Sequence, residues 1–346
     1  MAALCDLLCA GLIEKDSNGD VLWTWSYPSV TENQRNLFIR KSRLQGETYT
    51  DFLYGQYKHT WYYIKTVSAA DLVKVTHFSL VLVSKDFNPE KYQALCNIMC
   101  QLYKNTGNPA SMLESYLAVV TKGACNGEEN GKFTVSDFDA RQAYIQGSLK
   151  DVINMFGVET IVIYTALLLK KRIAVLHPNV ETLLSFMRVL PALVWHRQNW
   201  GVLHPYVDLE EDELEDLRAS TPYIAGFTDA AVEGRNELYD IFVAMTTREI
   251  TIAPQAKESL AMGKLHKDIA MFMVQCADND DMGEQQVIKE ISVKTKELLN
   301  NLKSLATVGE DDKPYISFEI LQGRKMPPAT QNFLYNLAAA EGMVKF

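Results

Sequence analysis

Histidines at 59, 77, 177, 196, 204 and 266 and cysteines at 5, 9, 96, 100, 125 and 276 are the side chains best suited to hold a metal or to serve as base and nucleophile. Their spacing argues against both roles. Metal ligands come as closely spaced cysteine pairs or with histidines nearby, and here Cys96 and Cys100 lie in a run that reads as one helix face. Cys5 and Cys9 lie in an apolar, strand-like run, so small buried thiols are expected. His196 and His204 flank Arg197, Gln198, Asn199 and Trp200, which is the one place where a metal or acid–base pair is conceivable. Ordinary hydrogen-bonded histidines at a loop and a strand end are the competing expectation. No metal, cofactor or covalent chemistry is predicted.

Phosphate and cation chemistry fare similarly. Gly127 to Lys132 resembles a phosphate loop, but it has one residue too few between its glycines and no hydroxyl residue after Lys132. No dinucleotide fingerprint, zinc-protease or serine-hydrolase motif occurs. Asp208 to Asp216 carries seven carboxylates in nine positions, without the glycine and spacing of a calcium loop. Leu209, Leu214 and Leu217 make it a helix with a solvated acidic face, or a contact for a basic partner. Lys170, Lys171 and Arg172 read as a helix C-terminus leading into a buried strand, with phosphate binding as the alternative.

The remaining candidate is aromatic. From Val21 to Tyr27, residues alternate, which sets Val21, Trp23, Trp25 and Tyr27 on one face and Leu22, Thr24 and Ser26 on the other. That face is either core or interface. The strand stops at Pro28, strand ends are often accessible, and Trp and Tyr anchor interfaces. Trp25, Tyr27 and Pro28 are therefore the candidate partner-binding residues.

Composition bounds the classes. Apolar residues make up 47% and charged residues 22% of 346, which is globular material for two or three units. The net charge of −9 opposes a nucleic-acid or anionic-membrane partner and allows a basic one. Asp6 interrupts the first apolar run, and the run Ile161 to Leu169 is about half the ~20 residues a membrane span needs. A reducing, cytoplasmic setting is expected.

The elements that would position these residues follow from local signals. Asn18-Gly19 marks a hairpin between strands at 4–14 and 21–27. Thr31 caps a short helix to about Arg43. Strands are predicted at 52–58, 61–67 and 78–84. Asn88-Pro89 opens a helix that Gly107 closes, and Asn108-Pro109 opens another to about Lys122. Residues 123–138 are polar and glycine-rich and read as a linker. Helices then alternate with strands at 173–176, 223–227, 238–243 and 249–252. After Pro254 helices are predicted at 255–277, 284–305 and 328–343. The fold class is α/β (α+β), bilobal: an antiparallel sheet with helices, then a layered α/β unit with a helical C-terminal region.

This order resembles the tripartite plan of DENN domain proteins. Gly11 to Asp16 and Val21 to Pro28 resemble the opening of the upstream, longin-like unit, whose second strand ends in Tyr-Pro. Leu193 to Gln198 and Thr221 to Phe227 resemble the central unit, with its Pro-Tyr-aliphatic-x-Gly strand. Phe87 to Tyr92, Lys264 to Lys267, Pro327 to Thr330, Asn332 to Tyr335 and Leu337 to Glu341 resemble one branch of the family, so the likeness spans essentially the whole chain. It departs at the extreme N-terminus, around 44–51, and in the acidic loops near 280 and 310.

The resemblance implies an upstream unit at 1–122, a linker at 123–138, a central unit at 139–253 and a downstream unit at 254–346. It implies guanine nucleotide exchange on a Rab-family small GTPase in late endosomal and multivesicular body traffic. It also implies association with coiled-coil subunits of the Commander endosomal sorting assembly, with the protein cytoplasmic and recruited to late endosomes. A non-catalytic subunit docking on Commander is the alternative function.

Overall fold

The computed structural model describes residues 6–46, 49–69, 72–127, 131–308 and 314–344. Cys5, and residues 128–130 of the loop resembling a phosphate loop, lie outside them. The fold class is the expected α/β, and the chain divides into two compact units, Met1–Ala143 and Tyr144–Phe346.

In the first unit, β1 (Leu7–Asp16) and β2 (Val21–Tyr27) flank the Asn18-Gly19 turn. Gly19 there has φ +93°, which its missing Cβ permits. β3 (Phe52–Tyr57), β4 (Thr60–Ser68) and β5 (Val75–Ser84) complete a sheet in the order β2-β1-β5-β4-β3. Every pair in it is antiparallel.

Helix α1 (Glu32–Ser42) starts as Thr31 predicts, with a reciprocal capping box to Gln34. Asn88 caps α2 (Pro89–Thr106) and Asn108 caps α3 (Pro109–Lys122), each with proline at the first turn, and Gly107 and Gly123 close them in left-handed conformations. Tyr62 and Tyr63 are adjacent on β4 and so point to opposite sides. Tyr62 meets Phe38 of α1, while Tyr63 stacks on Tyr92 of α2. The sheet is thus covered by helix on both faces.

The segment expected to be a linker has structure. Ala124–Asn126 (β6) pairs with Lys132–Thr134 (β7), and Phe133 is buried. Polar, glycine-rich composition signals turns, and a pair of short strands satisfies that signal as well as a linker does.

The second unit begins with the end of α4 (Ala140–Tyr144), then α5 (Leu149–Phe156) and α6 (Thr160–Leu168). Among the described residues one stretch, Ala140–Leu168, is long and apolar enough to cross a membrane, but 61% of its most apolar window is buried in the protein. The stretch also breaks at Gly147 (φ +102°) and Gly157.

The central strand β8 (Ile173–Leu176) is followed by α7 (Val180–Met187), the two-residue β9 (Leu203–His204), α8 (Glu211–Ala219), β10 (Ile224–Phe227), β11 (Ile241–Ala244) and β12 (Glu249–Ile252). The order is β12-β11-β8-β10-β9, parallel except for β12. Such strands are buried on both faces and read as short aliphatic runs. Ala174, Phe227 and Phe242 share a core with Leu214 and Leu217 of α8. The acidic run is therefore a helix with a buried leucine side and a solvated side.

The helical region holds α9 (Lys264–Asp278), α10 (Glu284–Ser304), a short ribbon of β13 (Thr307–Val308) and β14 (Pro314–Tyr315), α11 (Phe318–Gln322) and α12 (Pro328–Ala340). α9 begins later than expected, because Pro254 starts a 3₁₀ turn rather than the helix. Glu284 accepts from Ser148 Oγ (2.7 Å) and Leu149 N (2.8 Å), so α10 caps α5. From Tyr144 onward the chain clusters as a single compact unit.

Candidate protein-binding site

The edge strand β2 carries the three predicted residues, and its pairing with β1 rearranges them. Leu12 faces Trp25 and Ile13 faces Trp23, so the register shifts there and Thr24 is the extra residue of a β-bulge. Residues directly opposite share a side of the sheet, and neighbours on β1 alternate. Trp23 therefore lies with Ile13 and Gly11, on the side of α1. Trp25 and Tyr27 lie with Leu12 and Ala10, on the side of α2 and α3. The expectation that Trp23, Trp25 and Tyr27 share one face is overturned, because one inserted residue flips every side chain on one side of it.

The contacts agree with this division. Trp23 stacks on Phe38 of α1, with centroids 6.0 Å apart and planes at 25°. A Cβ on Gly11 would lie 2.4 Å from the Trp23 ring, so the glycine makes room for the indole. Tyr27 meets Tyr116 of α3 edge to face at 5.6 Å, and the Tyr116 hydroxyl donates to Leu8 O at 3.0 Å.

Trp25 is half-buried, Tyr27 is 44% exposed and Pro28 is exposed. Leu22 faces Glu14 and so lies on the same side as Trp25, and it is 57% exposed. Leu117, next to Tyr116 on α3, is 41% exposed. Leu22 and Leu117 escaped the sequence reading. Simple alternation puts Leu22 on the other face, and nothing local places α3 beside the edge strand.

Cys9 supports this corner from below. Its thiol donates to Pro28 O at 3.2 Å, and burial pushes its pKa up to about 12, so it remains a neutral donor. Cys96 and Cys100 are buried in α2, and burial raises both thiols. They are packing residues, as expected.

The other candidates are brought into structural roles. His196 Nε2 lies 3.5 Å from Glu341 Oε1, and Arg197 also pairs with Glu341. His204 is buried in β9 against Tyr223. Among the described residues no three His, Cys, Asp or Glu side chains cluster as metal ligands. Arg172 grips Asp240 through Nε (3.2 Å) and Nη2 (2.9 Å), which leaves only Lys170 and Lys171 of the basic trio. Gly127 N donates to Gly131 O at 2.7 Å, continuing the β6–β7 pairing by one bond.

Comparison with known proteins places the chain in a family. The family model described as SPA, stabilization of polarity axis, matches residues 146–254. The chain is 53% identical to DENN domain-containing protein 10 of Homo sapiens over 345 residues, covering 98% of this chain and 97% of that protein. The protein of the same name in Mus musculus is 52% identical, with the same coverage. The one in Dictyostelium discoideum is 39% identical over 352 residues, covering 96% of each. The chain belongs to the DENN domain-containing protein 10 family.

In this DENN chain the Pro-Tyr-aliphatic-x-Gly segment is Pro222 to Gly226, which ends inside β10. Gly226 is required there by contact. A Cβ would lie 2.3 Å from Pro205 O, and Val207 N donates to Gly226 O at 2.8 Å. The tight loop after β9 leaves no space for a side chain.

Proposed function

We propose that this chain is a DENN-type regulator that catalyses guanine nucleotide exchange on a Rab-family small GTPase, in late endosomal and multivesicular body traffic. The observation that carries the reading is an accessible aromatic corner, Trp25, Tyr27 and Pro28, on an edge strand of a DENN-family chain. Exchange of this kind makes and breaks no covalent bond. A protein that binds the empty GTPase better than the loaded one must weaken nucleotide binding by the same factor. The test is release of a fluorescent guanine nucleotide across a panel of Rab proteins. Acceleration of one or a few is expected, and none accelerated at micromolar protein refutes exchange.

A second reading has its own observation in favour. β2 carries no charged residue from Val21 to Tyr27, and Leu22 and Tyr27, on the same side of the sheet as Trp25, are exposed apolar side chains. Such a surface suits the apolar stripe of a helical partner. On this reading the chain is a non-catalytic subunit that docks on coiled-coil subunits of the Commander assembly. Trp25→Asp then abolishes co-purification with those subunits in a variant that circular dichroism shows to be folded. Retained binding would remove this corner from the interface.

A further inference from the structure

The second unit contains a pocket that neither reading uses. It opens at the N-terminal ends of β8, β9 and β10, with an accessible volume of about 190 Å³. Leu167 of α6, Val194, Pro222 and Ile224 give it apolar walls. Its rim is cationic. Lys170 turns the chain out of α6 in the left-handed region (φ +52°), and Lys171 follows it.

Nearby carboxylates are already engaged. Arg172 holds Asp240, the acid within electrostatic reach of Lys171, and Arg197 holds Glu341. Arg197 Nη1 and Nη2 also donate to Leu167 O and Leu168 O, both at 2.7 Å, so its guanidinium is occupied. Among the described residues neither Lys170 nor Lys171 pairs with a carboxylate. In a chain of net charge −9, an apolar pocket rimmed by two lysines that form no ion pair is a local concentration of positive charge.

Size selects the ligand. Pockets for drug-sized molecules run from about 300 to 1,000 Å³. An apolar cavity of about 150 Å³ takes one benzene ring. At about 190 Å³ this pocket fits one large apolar side chain, the usual anchor of a peptide contact.

We infer that this pocket is a second protein-binding site, which takes one large apolar side chain of an acidic peptide segment while Lys170 and Lys171 pair with flanking carboxylates. It is independent of the Trp25 corner and of the exchange reading.

The test uses the full chain and labelled pentapeptides with Leu, Ile, Met, Phe, Tyr or Trp between pairs of glutamates, in fluorescence polarisation. At least one binds with a Kd on the order of 100 µM. The matching alanine peptide and the Lys170→Glu/Lys171→Glu variant each weaken binding at least tenfold. Val194→Trp fills the pocket and blocks binding; should it not fold, the lysine variant carries the test. No saturable binding below about 1 mM, equal binding of the alanine peptide, or unchanged binding by the lysine variant overturns the inference. So does lysine-dependent sedimentation with phosphatidylserine vesicles in the absence of peptide binding, which makes the site a membrane contact.

Discussion

Glu341 shows how one carboxylate can close a unit. It follows α12 and meets His196 and Arg197, and Arg197 reaches on to the last carbonyls of α6. The nearby His196 ring and the pairing with Arg197 outweigh burial and hold its pKa at about 2, below an ordinary 4.5. A lowered carboxylate pKa stabilises the folded state above the unfolded value and loses that stabilisation as pH falls through the folded one. The benefit is therefore complete above about 4.5 and disappears towards about 2. Because the side chain is partly solvated, we expect Glu341→Gln to cost about 1–2 kcal/mol at pH 7. Urea unfolding at a series of pH values should show wild type and variant converging below pH 4.5, and a constant gap would rule out this role.

Among the elements, β2 and β10 each show how a single residue sets a surface. The bulge at Thr24 makes Trp23 a fold residue, stacked on α1, and Trp25 a surface residue. Trp23→Ala should therefore cost about 3 kcal/mol of stability, and Trp25→Ala under about 1 kcal/mol. Equal losses in chemical denaturation would contradict the face assignment. On β10, Gly226→Ala drives a methyl into Pro205 O, and backbone cannot swing away as a side-chain tip can. A loss of about 3 kcal/mol is expected, seen as a lower melting temperature. A melt within a degree or two of wild type would mean the loop after β9 gives way freely.

For the whole molecule, charge and surface chemistry pull apart. The chain carries −9 overall, yet its candidate binding strand is uncharged. Long-range fields act mainly on encounter, whereas a desolvated apolar anchor acts on dissociation. For whichever partner binds the Trp25 corner, raising sodium chloride from about 50 to about 300 mM should change the association rate several-fold and leave the dissociation rate nearly unchanged. Surface plasmon resonance separates the two. A dissociation rate that climbs steeply with salt would point to an ionic interface elsewhere on the chain.

Much of the architecture was legible because it is written in contacts between near neighbours. Asn88-Pro89, Asn108-Pro109, Gly107 and Asn18-Gly19 each settle a helix end or a turn within about four residues, and the structure uses every one of them. The aliphatic run Ile173 to Leu176 identifies a buried strand by composition alone, and the motifs from Gly11 to Glu341 carry the family. What the tertiary structure decided depends on partners far apart in the chain. The face that Trp25 occupies follows from pairing with β1 across the bulge. β9 is too short to signal itself and exists through pairing with β10 about twenty residues later. Arg172 leaves the basic trio because Asp240, 68 residues away, folds onto it. Local hydrogen bonds are encoded in adjacent residue types. Register and side-chain pairing are settled only when distant segments compete for the same space, and that competition left Trp25, Tyr27 and the Lys170–Lys171 rim at the surface.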